Sequence, residues 1–229
     1  MIRNILNVEV YKQKRTILPV VIGGYLFTFI LIASYGLLTK NSIMEFTKNF
    51  LAIDIFSGII APMLVTYAMI QTVTQDREAG NFLITNHVKN PYFDWGEIQI
   101  IFIWLINATI STIIIIFLSM LFIIPLGYLI VFNIFNLFMV TNVVYLMTRN
   151  FSGIISYLVG VAALLISLIA KTPLFDQTMI FIPPTWDIRM TYITMYNPHN
   201  FATCCVIFLG MSIIITILNL FISHFRNID

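Results

Sequence analysis

The sequence predicts an all-α membrane protein with six transmembrane helices, and three features lead to that prediction. First, 59% of its 229 residues are hydrophobic and only 10% are charged, whereas soluble domains carry about 25% charged residues. Second, its uncharged stretches reach the roughly 20 residues that a transmembrane helix needs. Third, most charged residues lie between those stretches. A water-soluble fold of this size has too little interior for so much apolar surface, so we expect the bilayer to surround it.

The uncharged stretches give the boundaries of the predicted spans. The run 98–148 is too long for one crossing, and Pro125 and Gly127 divide it into two helices joined by a tight turn. The run 17–38 is longer than the apolar part of a cleaved signal peptide, and no A-x-A site follows it, so we expect it to be retained. The predicted spans are 17–38, 54–74, 98–123, 128–148, 150–170 and 201–223.

Lysine and arginine predict the orientation of these spans, because cytoplasmic loops carry an excess of both residues. With the N-terminus inside, eight of them fall on the cytoplasmic side and four on the outer side. We therefore expect both termini in the cytoplasm. The inner set is Arg3, Lys12, Lys14, Arg15, Arg77, Lys89, Arg149 and Arg226, and the outer set is Lys40, Lys48, Lys171 and Arg189.

The segment 1–16 before the first span has an amphipathic pattern. Ile2, Leu6 and Val10 recur every four residues, while basic and amide residues fill the other faces. This pattern is typical of a helix that lies in the membrane interface, with its basic residues near anionic headgroups. The alternative is a frayed basic tail that only sets the topology.

The segment 171–200 between the last two spans is rich in proline, so it cannot form one continuous helix. It is also rich in apolar and aromatic residues, and irregular backbone at membrane depth needs cover from protein or a cavity. We expect a re-entrant outer segment, serving either as an outer gate that contacts substrate or as an interfacial cap. The candidate residues for gating or substrate contact are Pro183, Pro184, Trp186, Tyr192 and Tyr196.

Missing motifs and missing intramembrane charges exclude several classes of function. The sequence has no Walker loop, GxGxxG or HExxH motif, so we expect no catalytic activity in this chain and no energy source of its own. The spans carry no buried charge, whereas ion-coupled carriers and charged selectivity rings need one. The net charge of +2 is small, which counts against nucleic acid as a partner.

A set of eight polar residues inside the third and fourth spans is a candidate for a role in transport or in packing. They either line a path through the membrane or hydrogen-bond between helices, and both alternatives stay open. The set is Asn107, Thr109, Ser111, Thr112, Asn133, Asn136, Thr141 and Asn142.

No metal site is expected from the cysteines and histidines. Cys204 and Cys205 are neighbours, and neighbouring helical positions point in different directions, so we interpret both as small apolar residues. His87, His199 and His224 lie far apart in the predicted topology, and they cannot form one metal site.

The loop 74–97, TQDREAGNFLITNHVKNPYFDWGE, concentrates the charges of the middle of the chain. Asp76 and Glu78 open it, where a helix N-terminus would favour acidic residues. A short amphipathic helix that Pro91 ends would fit a groove in a soluble partner. The alternative is a solvated connector.

The run 77–82, REAGNF, followed by Pro91 and a span, resembles the R-E-x-G-T-f…P segment of ABC-2-type permeases. The resemblance implies that 1–229 is a single ABC-2-type transmembrane domain and that 76–91 is a coupling helix that docks on an ATP-binding subunit. Asn81 stands where the family has threonine, and Gly96-Glu97 where a lysine is common. The implied docking residues are Asp76, Arg77, Glu78, Gly80, Phe82 and Pro91.

The same resemblance implies a function. The chain is similar to the small permeases of lantibiotic-immunity exporters, which expel antimicrobial peptides from the cell membrane of Gram-positive bacteria. It implies three kinds of partner besides lipid: an ATP-binding subunit, a second permease in a heterodimer or homodimer, and an amphipathic peptide substrate. ATP and Mg²⁺ would bind the partner subunit, and no cofactor is expected in this chain. The alternatives are an exporter of cytolytic peptides or other hydrophobic cargo, and a membrane sensor or assembly factor that transports nothing.

Overall fold

A computed structural model describes residues 10–11, 13–39, 52–53, 55–78, 95–122, 127–169 and 186–226. All regular elements in these residues are helices. The α-helices are α1 (Leu18–Thr39), α2 (Ala61–Glu78), α3 (Trp95–Phe122), α4 (Gly127–Asn150), α5 (Gly153–Ile169), α6 (Trp186–Tyr196) and α7 (Phe201–Arg226). The π-helical turns Gln13–Ile17 and Phe56–Ile60 lead into α1 and α2, and the 3₁₀ turn Pro198–Asn200 leads into α7.

Within the described residues, five stretches of helix are long and apolar enough to cross a membrane. The prediction of an all-α, multi-pass membrane protein is confirmed to this extent. Helix α5 has 17 residues, about 25 Å at 1.5 Å per residue, which is shorter than a hydrocarbon core of about 30 Å. The sixth span stays a prediction. The five stretches are Leu18–Leu38, Phe56–Glu78, Gly96–Leu121, Gly127–Asn150 and Pro198–Phe221.

Several predicted features lie partly or wholly outside the described residues. The turn between the third and fourth spans, with Pro125, is one of them. The coupling segment 76–91 is described only at 76–78, and the outer segment 171–200 only from residue 186 onward. The interfacial segment 1–16 is described only from residue 10, without residue 12.

Helix α4 is the centre of the bundle. Helices α2, α3, α5, α6 and α7 all pack against it, while α1 packs against α2 and α3. The buried residues of α4 include the amides Asn133, Asn136 and Asn142. Inside a membrane a polar side chain is stable when it faces other helices rather than lipid. The polar character of α4 therefore explains why it has the most neighbours.

Side-chain contacts fix the directions of the first two helices. Gln13 Nε2 donates a hydrogen bond to Thr72 Oγ1 at 2.6 Å, which joins the turn before α1 to the last part of α2. The Tyr25 ring packs edge-on against Phe56, with 5.9 Å between ring centroids, which joins α1 to the turn before α2. The two helices are therefore antiparallel. The burial of Gln13 also makes the end of the predicted interfacial segment part of the bundle.

Helix α7 runs alongside α4 in the same direction. Near their starts, Phe201 contacts Tyr128 with 5.1 Å between ring centroids. Further along, Asn219 Nδ2 donates to Asn142 Oδ1 at 3.0 Å. The first contact lies where both helices begin and the second lies toward their C-termini, so the two helices are parallel.

These directions give the bundle two ends. We call one the junction end, where α2 ends at Glu78, α3 begins at Trp95, α4 ends at Asn150 and α5 begins at Gly153. We call the other the distal end, where α1 and α3 finish and where α4 and α7 begin. Helix α6 packs on α4 and α7 at the distal end.

Candidate functional site

The predicted docking residues Asp76, Arg77 and Glu78 form the last turn of α2. The sequence led us to place the two acidic residues at the start of a helix, and the structure differs, because α2 continues past residue 74 through Glu78. At a helix C-terminus the dipole favours a cation over an anion. The helix dipole therefore stabilises Arg77 in the last turn of α2, whereas it does not favour Asp76 and Glu78 there.

Arg77 bonds to the end of α4. Its Nη2 donates to the carbonyl oxygens of Thr148 and of Phe151, the latter at 2.8 Å. The last carbonyls of a helix have no donor within the helix, and a basic side chain can supply one. Arg77 thus caps α4 and reaches the short link between α4 and α5, so the end of α2 is fastened to both.

Asp76 is buried and accepts a hydrogen bond from Gln99 Nε2 of α3. A carboxylate removed from water needs such partners to be stable. Asp76 therefore contributes to the packing of α2 on α3, and its side chain does not lie on the surface that a partner would meet. Glu78 is exposed and does lie on it. Gly80, Phe82 and Pro91 lie outside the described residues.

The outer candidates are placed only in part. Trp186 begins α6 and is buried, with its ring edge-on to Phe208 at 5.7 Å between centroids. It serves as a packing residue at the distal end rather than as an exposed contact. Tyr192 and Tyr196 lie in α6. Pro183 and Pro184 lie outside the described residues.

Four of the eight candidate polar residues, Asn107, Ser111, Asn133 and Asn142, bond to another helix. Asn133 Nδ2 donates to Ser111 Oγ at 2.7 Å and so joins α4 to α3. Tyr25 Oη donates to Asn107 Oδ1 at 3.3 Å and so joins α1 to α3. These contacts favour the second of the two alternatives that the sequence left open, hydrogen bonding between helices.

Asn136 is different. It is 1% exposed, yet neither its Oδ1 nor its Nδ2 has a hydrogen-bond partner in the described part of the chain. A buried polar group without a partner costs about 1–3 kcal/mol, and native proteins contain few of them. Asn136 also lines a cavity. Asn136 was one of the eight candidate polar residues of the third and fourth spans, and nothing in the sequence distinguished it from Asn133.

We call this cavity the α4 groove. It has a volume of about 280 Å³ and lies on α4, bordered by α2 and α5 and by Ile215 of α7. Its wall is mainly apolar, with Met139, Val140 and Val143 of α4 along its length. The sequence shows that these wall residues are apolar, but only the packed bundle shows that they border an open space.

Small residues shape the α4 groove. Gly160 of α5 faces Thr66 of α2, and a Cβ at Gly160 would lie 3.0 Å from Thr66 Cγ2. Glycine therefore allows α5 to approach α2 closely, as small residues do in membrane helix pairs. Gly58 and Ala163 also line the groove, and their small side chains leave its volume unfilled.

A second cavity of about 290 Å³ lies between α3, α4 and α7 toward the junction end. Glu97, Tyr145, Arg149 and Asn219 are among its lining residues. Arg149 Nη1 donates to Tyr145 Oη at 2.7 Å. Gly96 makes room for that hydroxyl, because a Cβ at residue 96 would lie 1.7 Å from Tyr145 Oη. This cavity combines charged groups with an apolar wall.

Cys204 is buried, Cys205 is half-buried, and both are free thiols. Among the described residues no group of three or more His, Cys, Asp and Glu side chains is placed to hold a metal ion.

Comparisons with models of protein families, with curated proteins and with solved structures found no match to this chain.

Proposed function

We propose that the chain is the permease subunit of an ATP-driven ABC exporter that removes amphipathic, lantibiotic-like peptides from a bacterial cell membrane. A partner chain would bind ATP and Mg²⁺, and a second permease would complete the transporter. The observation that carries the proposal is the last turn of α2. Asp76 bonds it to α3 and Arg77 bonds it to α4 and to the link before α5, so a force on the segment after Glu78 would reach four helices.

The course of the chain supports six spans. Helix α5 begins at the junction end, where a Cβ at Gly153 would contact Thr74 of α2 at 3.4 Å. Helix α7 begins at the distal end beside Tyr128. The chain therefore changes sides between Gly153 and Phe201, and α5, whose Gly160 reaches the level of Thr66, is the element that would make the crossing.

The distribution of charge supports a cytoplasmic junction end. Lys14, Arg77 and Arg149 lie in elements that meet there, while Arg189 lies in α6 at the distal end. Cytoplasmic segments carry the excess of basic residues. With this orientation both termini and the coupling segment 76–91 would lie inside, within reach of an ATP-binding subunit.

An apolar cargo fits the cavity that the bundle offers. The described residues that line the α4 groove include none with a charge, and a charged substrate against such a wall would lose its hydration without compensation. Peptides with an apolar face, taken from the lipid, meet this condition. Cytolytic peptides and other hydrophobic cargo meet it as well, and transport assays with each class would separate them.

The test is copurification of the tagged chain from its host in mild detergent, with mass spectrometry of the bound proteins. We expect an ATP-binding subunit and a second small permease. Glu78→Lys should remove the ATP-binding subunit, because Glu78 is the exposed charge of the α2 end. Asn150→Lys is the matched control, since it also adds positive charge at an exposed position of the junction end.

Loss of the ATP-binding subunit in Glu78→Lys but not in Asn150→Lys would support the proposal. Recovery of the wild-type chain without any nucleotide-binding protein would contradict it and would favour the sensor or assembly factor. Equal recovery from both variants would contradict the docking role of Glu78.

A further inference from the structure

We propose that the α4 groove binds an apolar peptide segment in an extended conformation, and that Asn136 pairs with the backbone of one residue of that segment. The choice of a transported peptide as the occupant rests on the proposed function. The pairing chemistry rests on Asn136 and on the groove themselves.

Asn136 lies deep in the bundle and bonds to none of the described residues. It lies nine residues after Gly127 in a helix of 24 residues, so it is closer to the middle of α4 than to either end. If α4 crosses the bilayer, this position is far from bulk water. Asn133, one turn earlier, donates to Ser111 and leaves only its Oδ1 unpaired among the described residues, whereas both amide atoms of Asn136 stay unpaired there.

The neighbouring helix α7 also carries a polar atom that is unpaired among the described residues. Ser212 of α7 is buried, and its Oγ has no partner in the described residues. Phe208 stacks on Phe132 at 5.7 Å. Because α7 and α4 are parallel, Ser212, one turn after Phe208, falls at the level of Asn136, one turn after Phe132. Two helices thus bring unsatisfied polar groups to one depth.

The chemistry of a carboxamide selects the ligand group. Asn136 has an acceptor oxygen and a donor nitrogen. In an extended chain the N–H and C=O of one residue point to the same side, which is how paired residues in antiparallel strands exchange two hydrogen bonds. A carboxamide can occupy the place of the second strand. A hydrocarbon chain has no group that would use either atom.

The remainder of the groove suits the side chains of such a segment. Thr66 Oγ1 donates to Pro62 O at 2.8 Å, and Ser156 Oγ donates to Ser152 O at 3.3 Å. Both hydroxyl oxygens keep acceptor capacity, so they can receive a further backbone N–H. The volume of about 280 Å³ is slightly below that of ordinary ligand pockets, about 300–1,000 Å³, so the groove would take a short segment rather than a whole peptide.

The test is photocrosslinking to the full-length chain, purified alone and placed in phosphatidylglycerol nanodiscs. The probe is a synthetic Leu/Ala peptide that carries one photo-leucine. The matched probe has the same sequence with N-methylated backbone amides, which cannot donate. Crosslinked positions are mapped by mass spectrometry. We expect the first probe to label the groove wall around Met139 and Val143, and the methylated probe to label it roughly tenfold less, as for the loss of about 1.4 kcal/mol of binding.

The matched variants are Asn136→Leu and Asn142→Leu. Leucine at residue 136 should reduce labelling by the first probe roughly tenfold and should abolish the difference between the two probes. Leucine at residue 142, whose amide bonds to Asn219 outside the groove wall, should leave that difference intact. A thermal melt of Asn136→Leu that is no lower than that of the wild type would show that the loss of labelling is not unfolding.

Equal labelling of wild type and Asn136→Leu would overturn the proposal. Labelling of the groove by a photoactivatable phospholipid that excess peptide does not displace would also overturn it, because the occupant would then be a lipid chain. If neither probe labels the groove, water is the remaining partner for Asn136, and this result would also overturn the proposal. No ATP-binding subunit is present in this assay, so its failure is distinct from a failure of the proposed function.

Discussion

The junction end and the α4 groove use polar side chains in opposite ways. At the junction end, Arg77 donates to the carbonyls that end α4, and Asp76 accepts from Gln99. In the groove, Asn136 is buried as Asp76 is, but it has no partner in the described residues. The difference teaches that burial alone does not tell whether a polar residue holds a membrane bundle together. A buried polar residue stabilises the bundle when it has a hydrogen-bond partner on a neighbouring helix.

Arg77→Met is expected to give the largest loss of stability, because it breaks the bonds of the junction end. Methionine keeps the apolar stem but leaves the last carbonyls of α4 without the guanidinium. We expect a loss of about 1.5–3 kcal/mol, the range for hydrogen bonds to a charged group, measured by unfolding of the purified chain in detergent. Hydrogen exchange should rise in residues 148–152. Protection there that equals the wild type would contradict the capping role of Arg77.

The same substitution at two positions of α4, Asn142→Leu and Asn136→Leu, compares a paired buried asparagine with an unpaired one. Leucine at residue 142 leaves Asn219 without the Oδ1 acceptor, so we expect a loss of about 1–2 kcal/mol. Leucine at residue 136 removes an unpaired amide, so we expect no loss or a small gain in the absence of ligand. Equal destabilisation of both variants would mean that Asn136 has a partner after all.

Gly160→Ala is expected to give a smaller loss of stability than Arg77→Met or Asn142→Leu, and it tests the shape of the groove. The added methyl group would lie 3.0 Å from Thr66 Cγ2, so we expect a loss of about 1 kcal/mol from overpacking. Gly210→Ala is the matched control, because nothing lies within 4 Å of a Cβ at that position, and alanine there should be neutral or favourable to the helix. Identical melting of the two variants would argue against close packing of α5 on α2.

Hydropathy predicted much of the fold. The spans 98–123 and 128–148 correspond to α3 (Trp95–Phe122) and α4 (Gly127–Asn150), because the length of an apolar run and the turn residues within it are local properties. The continuation of α2 to Glu78 was not predicted, because the charged residues 76–78 were assigned to the loop 74–97. In the structure Asp76 and Arg77 extend the helix because α3 and α4 supply their partners.

The candidate site could not be predicted to the same degree. Asn133 and Asn136 are the same residue type one turn apart, in the same apolar context. Their difference arises from Ser111, which lies opposite one of them, and from a groove that lies beside the other. Both neighbours come from distant parts of the sequence, and a single sequence without relatives does not show which distant residues meet.

Helix α4 contributes residues to both the junction end and the α4 groove. Thr148, whose carbonyl receives Arg77, lies 12 residues after Asn136, about 18 Å along the axis. A shift of α4 at one point is therefore a shift at the other. Because linkage between two sites is reciprocal, a groove ligand that prefers one position of α4 would change the affinity of the junction end for any partner by the same factor as that partner changes the affinity for the ligand. Helix α4 would thus couple ligand binding in the α4 groove to partner binding at the junction end.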